Sequence, residues 1–264
     1  MTASPITSRD NPLFKSLAAL ARSAREGVHV EQVLLDGAHL VAAYLEHVGV
    51  PQRMVVSASA LGRPEIARLL ADSGAKEPAV LSDALFKRIS QVATPQGILA
   101  VARKPAPPPV GDREFCVALE DVQDPGNLGS ILRSAAAAGA RHVLLSKGCA
   151  QAWSPKVTRA AMGAHFLLAI HERVDLTGFL RRFRGRVVAT GGRGARSVFA
   201  ADLTGDIALL FGNEGAGLSR TLLAAADEVV AIPMPGGTES LNVGAAAAVC
   251  RFERVRQLQV NAER

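Results

Sequence analysis

Apolar and polar positions along the chain follow two alternating periods. Leu13, Leu17, Leu20 and Ala24 recur at helical spacing behind Asn11 and Pro12, a cap and first-turn pair, and Gly27 predicts the stop. Short apolar runs then alternate with helical stretches. Strands are predicted at 32–35, 54–56, 79–81 and 98–102, and helices at 38–47, 64–71 and 83–92. Strand and helix in turn at this spacing predict a small α/β layer fold.

The texture changes at Lys104-Pro105-Ala106-Pro107-Pro108-Pro109, which suits neither helix nor central strand. It predicts a boundary, giving a domain over 1–103, a linker over 104–113 and a second domain over 114–264. Alternation resumes with strands at 115–119, 142–145, 166–170, 186–189, 207–211 and 229–232. Helices are predicted at 129–138, 154–162, 176–183 and from Val243 onward.

Composition narrows the class. The hydrophobic content is 48%, but no apolar run reaches the ~18–20 residues that a membrane span needs. The opening MTASPITSRDNP lacks a basic start followed by an apolar stretch, so a cytoplasmic location is expected. Cys116, Cys149 and Cys250 are too few and too scattered for a disulfide framework or zinc cluster. The formal charge of +6 favours an anionic partner and is shared evenly by the residues before and after 110.

Two strands of the second domain open directly into loops. Ile207–Phe211 runs into Gly212-Asn213-Glu214-Gly215, and Val229–Ile232 into Pro233-Met234-Pro235-Gly236-Gly237. Ligands of open α/β sheets bind beyond the carboxyl ends of the strands, so both loops are read as parts of one pocket. Asn213, Glu214, Glu239, Ser240 and Asn242 bring polar groups to it. A third strand end turns into a helix at Asn127-Leu128-Gly129, with Arg133 about a turn beyond, an arrangement suited to phosphate or carboxylate. Asn127 as a mere helix cap and Arg133 as a surface charge is the competing reading.

Neither G-x-G-x-x-G nor G-x-x-x-x-G-K-[ST] is present, and H-E-x-x-H and C-x-x-C are also missing, so no metal is expected. Gly191-Gly192-Arg193-Gly194 reads as a turn. His39, His47, His142, His165 and His171 read as structural or surface residues. One Trp and one Tyr are too few for a base-stacking platform. The basic run Arg181-Arg182-Phe183-Arg184-Gly185-Arg186 reads as a solvated helix end, with phosphate contact as the alternative.

Three motifs in order carry a resemblance. They are Asn127-x-Gly129-x-x-x-Arg133-x-Ala135, then Phe211-Gly212-Asn213-Glu214-Gly215-x-Gly217-Leu218, then Ile232-Pro233-Met234 through Glu239-Ser240-Leu241-Asn242-Val243. Together they resemble the SpoU/TrmH family of RNA ribose 2′-O-methyltransferases in the SPOUT superfamily, over essentially all of 114–259. The block containing NPLFKSLAAL and VLLDGAHLV resembles, more loosely, the small ribosomal-protein-like RNA-binding domain of many members.

The resemblance implies an α/β carboxyl-terminal domain with a trefoil knot, a smaller α/β amino-terminal RNA-binding domain, and a homodimer formed through the knotted domain. It implies S-adenosylmethionine as cofactor, held by Gly212, Asn213, Gly215, Ile232, Met234 and Leu241. It makes Arg133 the catalytic residue, with Asn127, Glu214, Ser240 and Asn242 positioning the ribose. A guanidinium with an ordinary pKa above ~12 is a poor base, so its part as phosphate clamp is the firmer one. The expected partner is RNA, ribosomal RNA ahead of transfer RNA. A catalytically silent RNA-binding or ribosome-assembly protein is the alternative from another class.

Overall fold

A computed structural model describes residues 4–26, 31–74, 77–192 and 195–262. Two compact units emerge, one of residues 1–106 with 153–166, the other of 107–152 with 167–264.

In the first unit, β1 (Gln32–Asp36), β2 (Arg53–Ser57), β3 (Ala79–Leu81) and β4 (Ile98–Arg103) form a sheet in the order β1-β4-β2-β3. β4 runs antiparallel to β1 and β2, while β2 and β3 are parallel. Side chains alternate across a strand, so Leu99 and Val101 face one layer and Ile98, Ala100 and Ala102 the other. The first layer holds α1 (Pro12–Glu26) and α4 (Asp83–Ile89), packed through Phe14, Leu17 and Phe86. The second holds α2 (Ala38–His47) and α3 (Pro64–Asp72). Layers on both faces explain why β4 reads as a continuous apolar run. Asn11 caps α1 through Leu13 N (2.9 Å), while the predicted stop at Gly27 lies outside the described residues.

Residues 153–166, which periodicity placed in the second domain, group with this first unit. They supply α6 (Pro155–Ala161) and a 3-10 turn at Ala164–Phe166, whose last residue was expected to open the strand at 166–170. Trp153 and Phe166 lie on the α2–α3 core, with Phe166 edge-on to Tyr44 at 5.3 Å.

The second unit is a seven-stranded sheet in the order β7-β6-β5-β10-β8-β11-β9, parallel at every pairing. Its strands are β5 (Cys116–Leu119), β6 (His142–Leu145), β7 (Ala169–His171), β8 (Arg186–Thr190), β9 (Arg196–Ser197), β10 (Ile207–Phe211) and β11 (Glu228–Ala231). β5, β6 and β10 are buried throughout, as a parallel sheet covered on both faces requires. α5 (Pro125–Ala137) packs on the 20-residue α9 (Val243–Ala262); α7 (Leu176–Leu180) and α8 (Arg220–Ala224) pack together elsewhere in the unit. β9 and α8 were not predicted, being only two and five residues long. Arg193 and Gly194 of the expected turn lie outside the described residues.

Candidate active site

β5 and β10 are neighbours, joined past their ends by Glu120 N donating to the Phe211 carbonyl (2.9 Å). From β5 the chain continues to β6 and β7 on one side, while β10, β8 and β11 lie on the other. The order therefore reverses at the β5–β10 boundary, where open α/β sheets leave a crevice for ligands. Two loops open there and hold each other. Ser219 N donates to Glu120 Oε2 (2.6 Å), and Asn213 Nδ2 to the Asp121 carbonyl (2.8 Å).

α5 begins at Pro125, four residues ahead of the helix start expected at Gly129. Asp124 is the cap, accepting from Asn127 N at 2.7 Å, with Pro125 in the first position. That Asp–Pro pair is the same signal as Asn11–Pro12 and was legible. Asn127 thus lies inside the first turn, and its side chain is free for another task. Its Nδ2 donates to Glu214 Oε1 (3.1 Å), and its Oδ1 accepts from Asn242 Nδ2 (2.7 Å). Asn242 Oδ1 in turn caps α9, accepting from Gly244 N (2.9 Å) and Ala245 N (3.2 Å). A carboxylate only accepts, so Glu214 fixes the orientation of Asn127, which fixes that of Asn242. Glu214 also receives Asp124 N (3.1 Å) and Gln123 N (3.3 Å). Partial burial pushes its carboxyl up, but the bonds from Asn127 and these backbone groups outweigh that and hold it below its ordinary 4.5.

The glycine loop owes its course to two residues. A β-carbon on Gly212 would sit 2.2 Å from Gly217 C and 2.3 Å from Leu218 N, so only glycine allows the loop to close on itself. Asn213 seals it, pairing backbone with Gly217 while its Oδ1 accepts from Gly215 N (2.9 Å) and Ala216 N (3.0 Å). The Asn213 side chain and the Gly215 N–H are thereby engaged in building the loop.

The remaining candidates are placed with fewer bonds. Ile232 and Met234 are half-buried after β11; Ser240 and Leu241 are exposed before α9. Arg133 is exposed and makes no hydrogen bond or ion pair among the described residues. Because α5 starts early, Asn127 and Arg133 stand six residues apart in one helix, about 120° around its axis. They do not share a face. Arg133 instead shares a face with Ser130, against which the first turn of α9 packs: a β-carbon on Gly244 would lie 3.4 Å from Ser130 Oγ.

Sequence reasoning missed Arg251. It is fully buried in α9, donates from Nη2 to Ser134 Oγ (2.5 Å), and stacks over Phe211 at 5.8 Å. Its Nε and Nη1 have no partner among the described residues, and burial lowers its pKa to about 10. No group of His, Cys, Asp and Glu among the described residues is arranged to hold a metal.

The model of the SpoU rRNA methylase family matches residues 114–252, which include the three site loops, α5 and the first half of α9. The chain belongs to this family. An uncharacterized tRNA/rRNA methyltransferase of Synechocystis is 32% identical over 96% of this chain and 93% of its own length. The 23S rRNA (guanosine(2553)-2′-O)-methyltransferase RlmP of Bacillus subtilis is 31% identical over 85% of this chain and 89% of its own. Among solved structures, an AdoMet-bound rRNA methyltransferase from Sinorhizobium meliloti superposes with a TM-score of 0.80 at 29% identity, over 97% of this chain and 98% of that one. The TrmH/SpoU tRNA-modifying enzyme of A. aeolicus covers only 57% of this chain and 78% of its own, with a TM-score of 0.51 at 26% identity.

Proposed function

We propose that the protein methylates a ribose 2′-hydroxyl of ribosomal RNA, with S-adenosylmethionine as donor. The observation that carries the reading is the Glu214–Asn127–Asn242 chain at the strand-order reversal, which ties two loops and the first turns of two helices into one frame. The loops fit the cofactor. Gly212 tolerates no side chain, and exposed Leu241 with half-buried Ile232 and Met234 offers backbone and apolar contact to adenine and ribose. Gly212, Ile232 and Leu241, with their loop neighbours, would hold it.

When bound, S-adenosylmethionine supplies an electrophilic methyl on a sulfonium. A ribose 2′-hydroxyl that gives up its proton to water would be the acceptor of that methyl group. Arg133 clamps the phosphate next to the target ribose, and Ser240 orients the hydroxyl. Asn127 and Asn242 keep the first turns of α5 and α9 in register, so that Arg133 and Ser240 approach the same ribose.

Ribosomal RNA is preferred because relatives named for rRNA span both units, while the tRNA-modifying structure corresponds to little more than half of this chain. The first unit is taken as the RNA-recognition element. A threaded carboxyl-terminal segment is supported by α9, which bonds to α5 on one side and, through Gln257 and Arg254, to residues 201–203 ahead of β10. A homodimer is supported by Phe252, Leu258 and Val260, exposed on α9. The test is transfer of labelled methyl from S-adenosylmethionine to total bacterial RNA by wild type and Arg133→Ala. Alkali-resistant label at one rRNA nucleotide, lost in the variant, is expected. Label on tRNA would reverse the substrate choice, and a protein that neither binds the cofactor nor transfers label would leave a silent RNA binder.

A further inference from the structure

The basic run at 181–186 closes one end of a pocket of about 780 Å³ within the second unit. Its floor is apolar, made by buried Leu144, Phe179 and Phe183 with Val174 beside them. Arg181, Arg182 and Arg184 line it and are exposed. Asp112 is the one lining carboxylate, and it is already paired with Arg184 at 3.3 Å. Arg181 and Arg182 have no ion pair among the described residues, whereas Arg186 is turned to Asp202 and is not part of the lining.

The bland account of such cations is compensation of a helix carboxyl end. α7 has only five residues, too short a dipole to require three arginines. The position is also telling. Arg184 N bonds to the Asp112 carbonyl, so the basic mouth lies where the chain enters β5 and β8, at the amino ends of the strands. The candidate active site opens at their carboxyl ends. The two are distinct.

We infer that this pocket binds one nucleotide of a single-stranded RNA segment, its base in the apolar cavity and its flanking phosphates on Arg181 and Arg182. The shared chemistry is a flat apolar ring joined to a phosphate, for which an apolar floor with unpaired guanidiniums at the rim is complementary. His171, whose Nε2 bonds His142 Nδ1 at 3.0 Å, supplies an aromatic wall. The strand rather than a free nucleotide is chosen because two adjacent unpaired arginines match successive phosphates. The inference rests on the RNA reading above only for the source of the nucleotide.

The test uses full-length protein and a 12-nucleotide oligouridylate carrying 5-iodouridine. Photocrosslinks are expected within residues 171–183, and Arg181→Ala/Arg182→Ala should abolish them. In the same variant, oligonucleotide affinity should fall about tenfold and the slope of log K against log salt should drop by about 1.4, two phosphates at ~0.7 each. Unchanged crosslinks and slope in a folded variant would overturn the inference. So would equal affinity for a base-free ribose-phosphate 12-mer, because the cavity would then hold no base. Saturable UMP binding as tight as that of the oligomer would replace the strand by a free nucleotide. None of these readouts involves methyl transfer, so a failure of the methylation reading leaves them interpretable.

Discussion

Asn127→Asp changes one atom type at the centre of the candidate site and removes its donor. The Asn127 amide donates to Glu214 at 3.1 Å and accepts from Asn242 at 2.7 Å. A carboxylate there keeps the second bond and turns the first into a repulsion. At 3.1 Å and an effective dielectric of ~20, two unit charges repel by about 5 kcal/mol. Taking up a proton instead, from an ordinary carboxyl pKa near 4, costs about 4 kcal/mol at pH 7. Either exceeds the ~1–3 kcal/mol that such bonds contribute, so the side chains turn apart and the register of α5 and α9 loosens. Asn127→Ala leaves Glu214 and Asn242 to water at the exposed rim, costing about 1 kcal/mol of stability. Methyl transfer to RNA should therefore fall ~10²-fold in Asn127→Ala, as for a misplaced reacting pair, and further in the nearly isosteric Asn127→Asp. Thermal melts of both variants, run alongside, separate misplacement from unfolding. If the aspartate variant is as active as the alanine variant or better, the assigned bond directions are wrong.

Gly212→Ala forces its β-carbon into the Gly217 backbone and should cost ~1–3 kcal/mol while weakening S-adenosylmethionine binding, read by calorimetry on a still folded protein. Arg251→Met should be neutral or stabilising in urea melts. A guanidinium brought down to about 10 by burial carries a penalty on the order of 3 kcal/mol, and a loss of stability would refute that accounting. Burial also lowers His142 and His171 below 6.5; for His142 the nearby Glu114 opposes the shift and Arg141 adds to it, while for His171 the neighbouring His142 adds to it and Glu114 opposes it. The unfolded chain then binds more protons, so their contribution is complete above about 6.5 and is lost as pH falls through the lower folded values. The melting temperature should drop from pH 7.5 to 5.5, and less steeply in His171→Gln.

What the sequence revealed follows from the range of each interaction. Apolar runs such as Ile207–Phe211 are local and predicted the strands of both sheets except the two-residue β9, and the loop motifs marked the candidate site. Asp124-Pro125 was equally local, yet the glycine at 129 drew the helix start to the wrong residue. Partners distant in sequence were not legible. Asn127 meets Glu214 and Asn242 across 87 and 115 positions, and nothing in periodicity states which amide donates. Arg251 reads as an exposed charge in a helix whose apolar stretch has ended; only the packing of α9 on α5 buries it. The strand expected at 166–170 begins at Ala169 because Phe166 is drawn onto Tyr44.

The passage of residues 153–166 through the first unit has a consequence for any attempt to take the protein apart. Three chain crossings join the units, near 106, 152 and 166, and only the first lies in the proline-rich stretch. A protease that nicks the backbone there leaves two fragments that stay associated, since the larger one carries Trp153 and Phe166, which pack on the core formed by the other. Expression from residue 107 onward would free those aromatics to water and favour aggregation over an independent enzyme. Modularity, for this chain, is a property of its folded units and not of its linear sequence.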